Sequence, residues 1–250
     1  MNRQELLDHL QDFLSVSNYQ DYAPNGLQIE GKATISKIVT GVTACQALID
    51  AAIAEKADAI LVHHGFFWKG EDPCIVGIKQ KRIQGLLNNN INLLAYHLPL
   101  DGHATLGNNA RLGQVLGLTN MAAISGVAQG LVWKGELPSA MSAVAFGEHI
   151  SERLARAPLV LGDHQKAMKT VAWCTGGAQD YIDIAARFGV DAFISGEASE
   201  RTFHTANELD IVYFGAGHHA TERYGIEALG EHLAATFGLE HVFIDINNPV

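Results

Sequence analysis

The sequence predicts an α/β protein of two similar halves, each with a mixed sheet, that arose by internal duplication. Three observations predict it. A shift of 133 residues lays "KIVTGVTACQALIDAAIAEKADAILVHHG" (37–65) over "TVAWCTGGAQDYIDIAARFGVDAFISGEA" (170–198) without a gap, matching Gln46 to Gln179, Asp50 to Asp183 and Asp58 to Asp191. A shift of 121 lays "INLLAYHLPLD" (91–101) over "VYFGAGHHATE" (212–222), so that His97 meets His218 and Asp101 meets Glu222. Both copies also share one order of patterns: apolar strand, helix-spaced apolar residues, two further apolar strands, then His-x-x-x-carboxylate.

The elements follow in order. The opening "MNRQELLDHLQDFL" places Leu6, Leu7, Leu10, Phe13 and Leu14 at helical spacing, which reads as an amphipathic surface helix. In the first copy Ile38 and Val39 begin a strand, Leu48, Ile49, Ala52 and Ile53 mark a helix, and 59–62 form a second strand. In the second copy the helix positions are 181, 182, 185 and 186, and the strand is 192–195. A strand–helix–strand unit makes its two strands parallel through a right-handed crossover. Between the copies, "GLVWKGELP" reads as a hairpin at a sheet edge and "PLVLGD" as a further strand. "SAMSAVAFGEHISERLARA" reads as a helix capped by Ser139 or Ser142. The expected halves are 1–120, with repeat core 37–101, and 121–250, with repeat core 170–222 behind a connecting β/α segment.

Composition narrows the function. The 250 residues suffice for a sizeable core, and 48% hydrophobic with 18% charged residues describes a globular rather than a disordered chain. No apolar run reaches the roughly 20 residues of a membrane span. The N-terminus carries Glu5, Asp8 and Asp12 and lacks the apolar stretch of a signal peptide. Three cysteines without a C-x-x-C pair argue against a disulfide framework or a thiolate zinc site and point to a reducing cytoplasm. A net charge of −10 with no run of Lys or Arg argues against nucleic acid or an anionic membrane as partner. There is no G-x-S-x-G, P-loop or G-x-G-x-x-G pattern. Gly176-Gly177, ahead of a helix expected from near Gln179, reads as a tight turn, with a phosphate cradle as the alternative.

The unusual number is 12 histidines. Four places gather nitrogen and oxygen donors at strand ends: His63-His64, His97 with Asp101, Glu197, and His218-His219 with Glu222. Two adjacent histidines share one site only if the strand ends near them, so the strand is expected to stop at Val62 and the chain to bend at Gly65. His218 and Glu222, four apart, lie on one helix face and can chelate one ion. His97 and Asp101 have the same spacing, but Pro99 disfavours a continuous helix there. His219 then points away from its neighbour and reads as a substrate-facing or supporting group. Glu197 and His204 are candidates to line the site. His9, His103, His149, His164, His232 and His241 read as surface or core residues. Imidazoles and carboxylates without a thiolate suit Zn, Fe, Mn, Co or Ni. Two such ions would acidify water and polarise a phosphoryl or carbonyl oxygen.

"PNGLQIEG", "ILVHHGFFW", "YHLPLDGH" and "GHHATE", in this order, resemble the GTP cyclohydrolase 1 type 2 family, also called the Nif-three-like family. The resemblance runs from about residue 20 to the C-terminus and matches a short bacterial member without the inserted central domain. It implies two intertwined α/β domains with a dinuclear metal site between them, and a ring-shaped homohexamer. The family's ligand positions fall on His63, His64, Asp101, His218 and Glu222, and leave His97 as a neighbour of the metals. The expected activity is hydrolysis of a small, nucleotide-like substrate with two divalent ions per chain, and with His97 or His219 moving protons. The rival expectation is a metal-binding scaffold or regulatory ring without turnover. A ring that threads DNA is a third idea, opposed by the negative charge.

Overall fold

The computed structural model describes residues 1–250. The chain forms two compact units, 1–100 with 225–247, and 101–224 with 248–250. They do not follow the contiguous halves 1–120 and 121–250, because the chain leaves the first unit and later returns to it.

In the first unit Asn2 caps α1 (Arg3–Phe13) in a capping box with Glu5, and Leu6 and Leu10 form its buried stripe. Next come β1 (Gly26–Ile29), β2 (Lys37–Thr43), α2 (Gln46–Ala54), β3 (Ala59–His64), α3 (Gly77–Asn88) and β4 (Asn92–Ala95). β2, β3 and β4 are parallel, and β1 lies antiparallel along β4. Strand alternation gives the sheet two apolar faces. Ile38, Val42, Ala59, Leu61 and Leu94 pack with Leu6 and Leu10. Val39, Ile60, Val62 and Leu93 pack with Leu48, Ile49, Ile83 and Leu86. Each such buried aliphatic side chain contributes about 1.5–3 kcal/mol. A short helix, α4 (Leu98–Gly102), then carries the chain out of this unit. It forms despite Pro99, because a proline in the first turn costs no helical hydrogen bond.

The second unit contains α5 (Asn108–Val115), β5 (Thr119–Ala123), β6 (Trp133–Ser142), α6 (Ala143–Leu154), β7 (Leu159–Leu161), β8 (Ala167–Trp173), α7 (Ile182–Arg187), β9 (Ala192–Ser195), α8 (Glu200–Glu208) and β10 (Val212–Gly215). Its strand order is β5-β6-β8-β9-β10-β7, with β8, β9 and β10 parallel. Trp173, Ile194 and Phe214 pack with Leu112 of α5 and Phe146 and Ile150 of α6. The sheet edge expected from "GLVWKGELP" is corrected: β6 lies inside the sheet, and β5 and β7 are its edges. β6 runs on to Ser142 because Met141 and Ser142 pair with Met168 and Ala167. The helix therefore starts at Ala143, and Ser142, not Ser139, caps it through Oγ accepting from Ala145 N (3.2 Å).

The long α9 (His218–Phe237) begins in the second unit, and from Gly225 belongs to the first. β11 (Glu240–Phe243) then pairs in parallel with β2, completing the order β1-β4-β3-β2-β11. The duplication is explicit in both sheets: β2-β3-β4 corresponds to β8-β9-β10. Asp58 accepts from the backbone N–H of Ser36 and Lys37 (2.9 and 3.1 Å), and its counterpart Asp191 from Lys169 and Thr170 (both 2.8 Å). Each aspartate thus anchors the first parallel strand of its copy, at the start of β2 and within β8. The copies differ at the crossover, where α2 corresponds to a 3-10 turn at Gln179–Tyr181 followed by the shorter α7.

Candidate metal centre

Chemistry-bearing residues follow the C-terminal ends of the parallel strands in each unit, the usual place for sites in open α/β sheets. In the first unit β3 continues through His64 instead of stopping at Val62. Thr43 pairs with His64, and Ala44 N–H donates to His64 O (2.8 Å). The two imidazoles nonetheless lie side by side, with ring centroids 4.4 Å apart, just before the chain bends at Gly65. His97, which follows β4, completes a cluster in which ligand atoms of His63, His64 and His97 lie within 4.8 Å of one another.

Hydrogen bonds set the ring orientations. His63 Nδ1–H donates to Tyr96 O (3.1 Å), which leaves Nε2 with its lone pair. His64 Nδ1 is 3.1 Å from Thr43 Oγ1. His97 Nδ1 is 2.9 Å from Asp21 Oδ1. Asp21 also accepts from Tyr22 N, Ala23 N, Asn25 Nδ2 and Leu98 N. Burial pushes its pKa up, but the His97 contact, with Asn25 and Leu98, outweighs this and lowers it to about 2. Sequence reasoning missed Asp21. It lies in irregular chain far from His97, and no spacing pattern links the two.

In the second unit Asp101 Oδ1 accepts from Asn108 Nδ2 (2.8 Å) and Thr175 Oγ1 (3.2 Å), and Asn109 Nδ2 donates to Asp101 O (3.2 Å). His218 Nδ1 is 2.6 Å from Glu197 Oε1, and its Nε2 is 3.0 Å from Oε2 of Glu222. This is the carboxylate–histidine pairing that fixes a metal-ligating imidazole. Burial opposes charge on His218, but Glu222 and then Glu197 overcome it and raise its pKa to about 9. Gly176, at φ 69°, packs so closely that a Cβ would overlap Glu222 Oε1. The thiol of Cys174 is fully buried, and burial, reinforced by Asp101 and Glu222, pushes its pKa well up.

Glu197 therefore belongs with His218, as one of the sequence alternatives held. His204 does not: it is exposed and pairs with Glu200 of the same helix (3.0 Å). His219 is buried, and its backbone N–H donates to Val250 O (3.0 Å). Gly176 and Gly177 make the tight turn after β8, with Gly176 N–H donating to Thr221 Oγ1 (3.1 Å). Imidazoles with Nδ1 committed and buried carboxylates suit a borderline divalent ion, so the donors fit a transition metal.

Comparison with known proteins assigns the chain to a family. The profile of the family Duf34/NIF3 (NGG1p interacting factor 3) matches residues 1–249. A protein of Allochromatium vinosum named GTP cyclohydrolase 1 type 2 homolog is 55% identical, covering 98% of this chain and 96% of its own. The homolog from Pasteurella multocida is 54% identical over the whole of both chains. Among solved structures, protein ybgI is 52% identical, with a TM-score of 0.96 over 100% of both chains. TTHA1606 from Thermus thermophilus is 34% identical, with a TM-score of 0.88 over 100% of both. The chain, with its paired histidines and its two related α/β units, belongs to the Duf34/NIF3 family.

Proposed function

We propose that the protein is a metal-dependent hydrolase of a small, nucleotide-like substrate. In this reading two divalent ions are held by His63, His64, Asp101, His218 and Glu222. The observation that carries it is the commitment of imidazole Nδ1 atoms to backbone and carboxylate partners, which turns Nε2 into the ligand atom. The relatives named GTP cyclohydrolase 1 type 2 homolog support the substrate class. Bound ions would supply Lewis acidity toward a phosphoryl or carbonyl oxygen and acidify water. The chain's own residues do the rest. Glu197 orients His218, Asp21 fixes the His97 tautomer, and His97 or His219 moves a proton.

The test joins elemental analysis to a nucleotide and phosphoester screen with Mn, Zn, Fe and Ni. The expected result is about two transition-metal ions per chain and turnover that follows occupancy. Unchanged turnover after His63→Ala together with Glu222→Ala would overturn the reading.

A scaffold without turnover is the second reading. Ile75, Val76 and Ile78 are 51%, 67% and 68% exposed, an apolar stretch suited to a protein contact. We extend the proposal to a homohexameric ring, with no nucleic-acid or membrane partner, working in the cytoplasm. The unbridged cysteines are consistent with that compartment. Light scattering that gave a monomer would remove the ring.

A further inference from the structure

We infer that Tyr22 and Trp68 form a stacking platform for a flat heteroaromatic ring of purine or pterin size, held beside His64 and His97. The inference rests on the reading of those histidines as part of the reaction centre, and it assigns the residues that select the substrate.

Four ring contacts define the platform. Trp68 stands edge-on to His97, with centroids 5.0 Å apart at 86°. Tyr22 meets the same imidazole at 5.0 Å and 74°. Tyr22 and Trp68 lie 5.8 Å apart at 37°, and Trp68 lies 5.9 Å from His64. A ring laid on the Tyr22–Trp68 pair is thereby brought against both imidazoles.

The aromatics of "HHGFFW" divide their labour. Phe66 is buried in the core of the first unit, and Phe67 packs against that core. Tyr22 and Trp68 belong to no core cluster, and Tyr22 is 54% exposed. Both rings lie outside the cores while touching the imidazoles, a placement that suits stacking on a ligand.

The backbone also holds this turn in an unfavourable state. Phe67 has φ 66°, a conformation bulky side chains rarely adopt. The Gln28 amide clamps the preceding residue from both sides, with Nε2 donating to Phe66 O (3.1 Å) and Oε1 accepting from Phe66 N (2.6 Å). Lys69 N–H donates to Tyr22 O (2.8 Å), which ties the two halves of the platform together. Lys79 Nζ sits over the Phe67 ring at 5.1 Å. Over-determined backbone strain of this kind concentrates at ligand clamps. Here its effect is to turn Trp68 toward His64 and His97.

The test measures calorimetric binding of GMP, with ribose 5-phosphate as the ring-free control, to the metal-loaded full-length protein. GMP is expected to bind more tightly than ribose 5-phosphate. Trp68→Leu and Tyr22→Leu should each weaken GMP about tenfold and leave ribose 5-phosphate unchanged, while Trp68→Phe retains most of the affinity. Trp68 fluorescence gives an independent readout, since Trp133 and Trp173 are buried. GMP should quench the wild type and not Trp68→Phe. The platform is overturned if GMP binds no more tightly than ribose 5-phosphate, or if both leucine variants bind GMP normally. Metal content on the same samples separates the two readings. Full occupancy without GMP preference removes the platform alone, and GMP preference without bound metal upholds the platform and removes the metal centre.

Discussion

Asp21 Oδ1 lies 2.9 Å from Nδ1 of His97, and the same carboxylate accepts the backbone N–H of Leu98. One side chain thus fixes both the imidazole and the start of α4, the helix that carries Asp101. Asp21→Ala should leave both donors without their acceptor and cost about 3 kcal/mol, read by urea denaturation. The folded carboxyl sits at about 2 against an ordinary 3.8. A depressed pKa contributes stability that is complete above the unfolded value and is lost as pH falls through the folded one. Its share, roughly 2 kcal/mol, should therefore decline from about pH 4 and be gone below about pH 2 in the wild type, and be missing from Asp21→Ala.

His218 gives the opposite sign. Its pKa is raised from 6.5 to about 9 by Glu222 and Glu197 against the effect of burial. In metal-free protein this contribution is complete below about pH 6.5 and is lost as pH rises through about 9. Denaturation of chelator-treated protein between those values should show the decline, and Glu222→Gln should flatten it. Metal competes with the same proton, so metal affinity should increase with pH over this window.

Gly176→Ala isolates the geometry around Glu222. The new methyl would overlap Glu222 Oε1 and stand 3.1 Å from His218 Nε2, on a backbone at φ 69°. Strain should cost about 1 kcal/mol, and the displaced carboxylate should lower metal occupancy with the fold retained. Elemental analysis beside circular dichroism checks both outcomes.

The duplication supplies a controlled pair of substitutions. Lys56 and Gly189 occupy equivalent positions after α2 and α7, with φ 55° and 66°. A Cβ at Gly189 would meet nothing within 4 Å, so only backbone preference is at stake. Lys56→Gly should stabilise by about 1 kcal/mol and Gly189→Lys should destabilise by a similar amount. Thermal unfolding would register each as a shift of about 2–4 °C.

Much of this was legible in the sequence because the duplication repeats its pattern. The parallel triplets, the strand-end placement of His63, His64, His97 and His218, and the one-turn spacing of Glu222 all follow from periodicity. What periodicity does not encode was misplaced or missed. β6 extends through Ser142 because cross-strand pairing overrides the local cap signal at Ser139. β3 reaches His64 because Thr43 offers it a partner. Asp21 acts from irregular chain and Gln28 from β1, each through contacts closed by tertiary structure, so no local spacing points to them. The units divide at Leu100 and Tyr224 because the final part of α9 and β11 find their apolar partners back in the first core.

That return sets an order on biosynthesis. β2 borders β11 in the finished sheet, yet the whole second unit from Asp101 to Tyr224 lies between them along the chain. A nascent chain emerging N-terminus first holds β2 with an open edge until β11 (Glu240–Phe243) has been made. An open edge is a template for pairing with another chain. Translation that stalls after the first 120 residues should therefore yield aggregating fragments rather than a folded half.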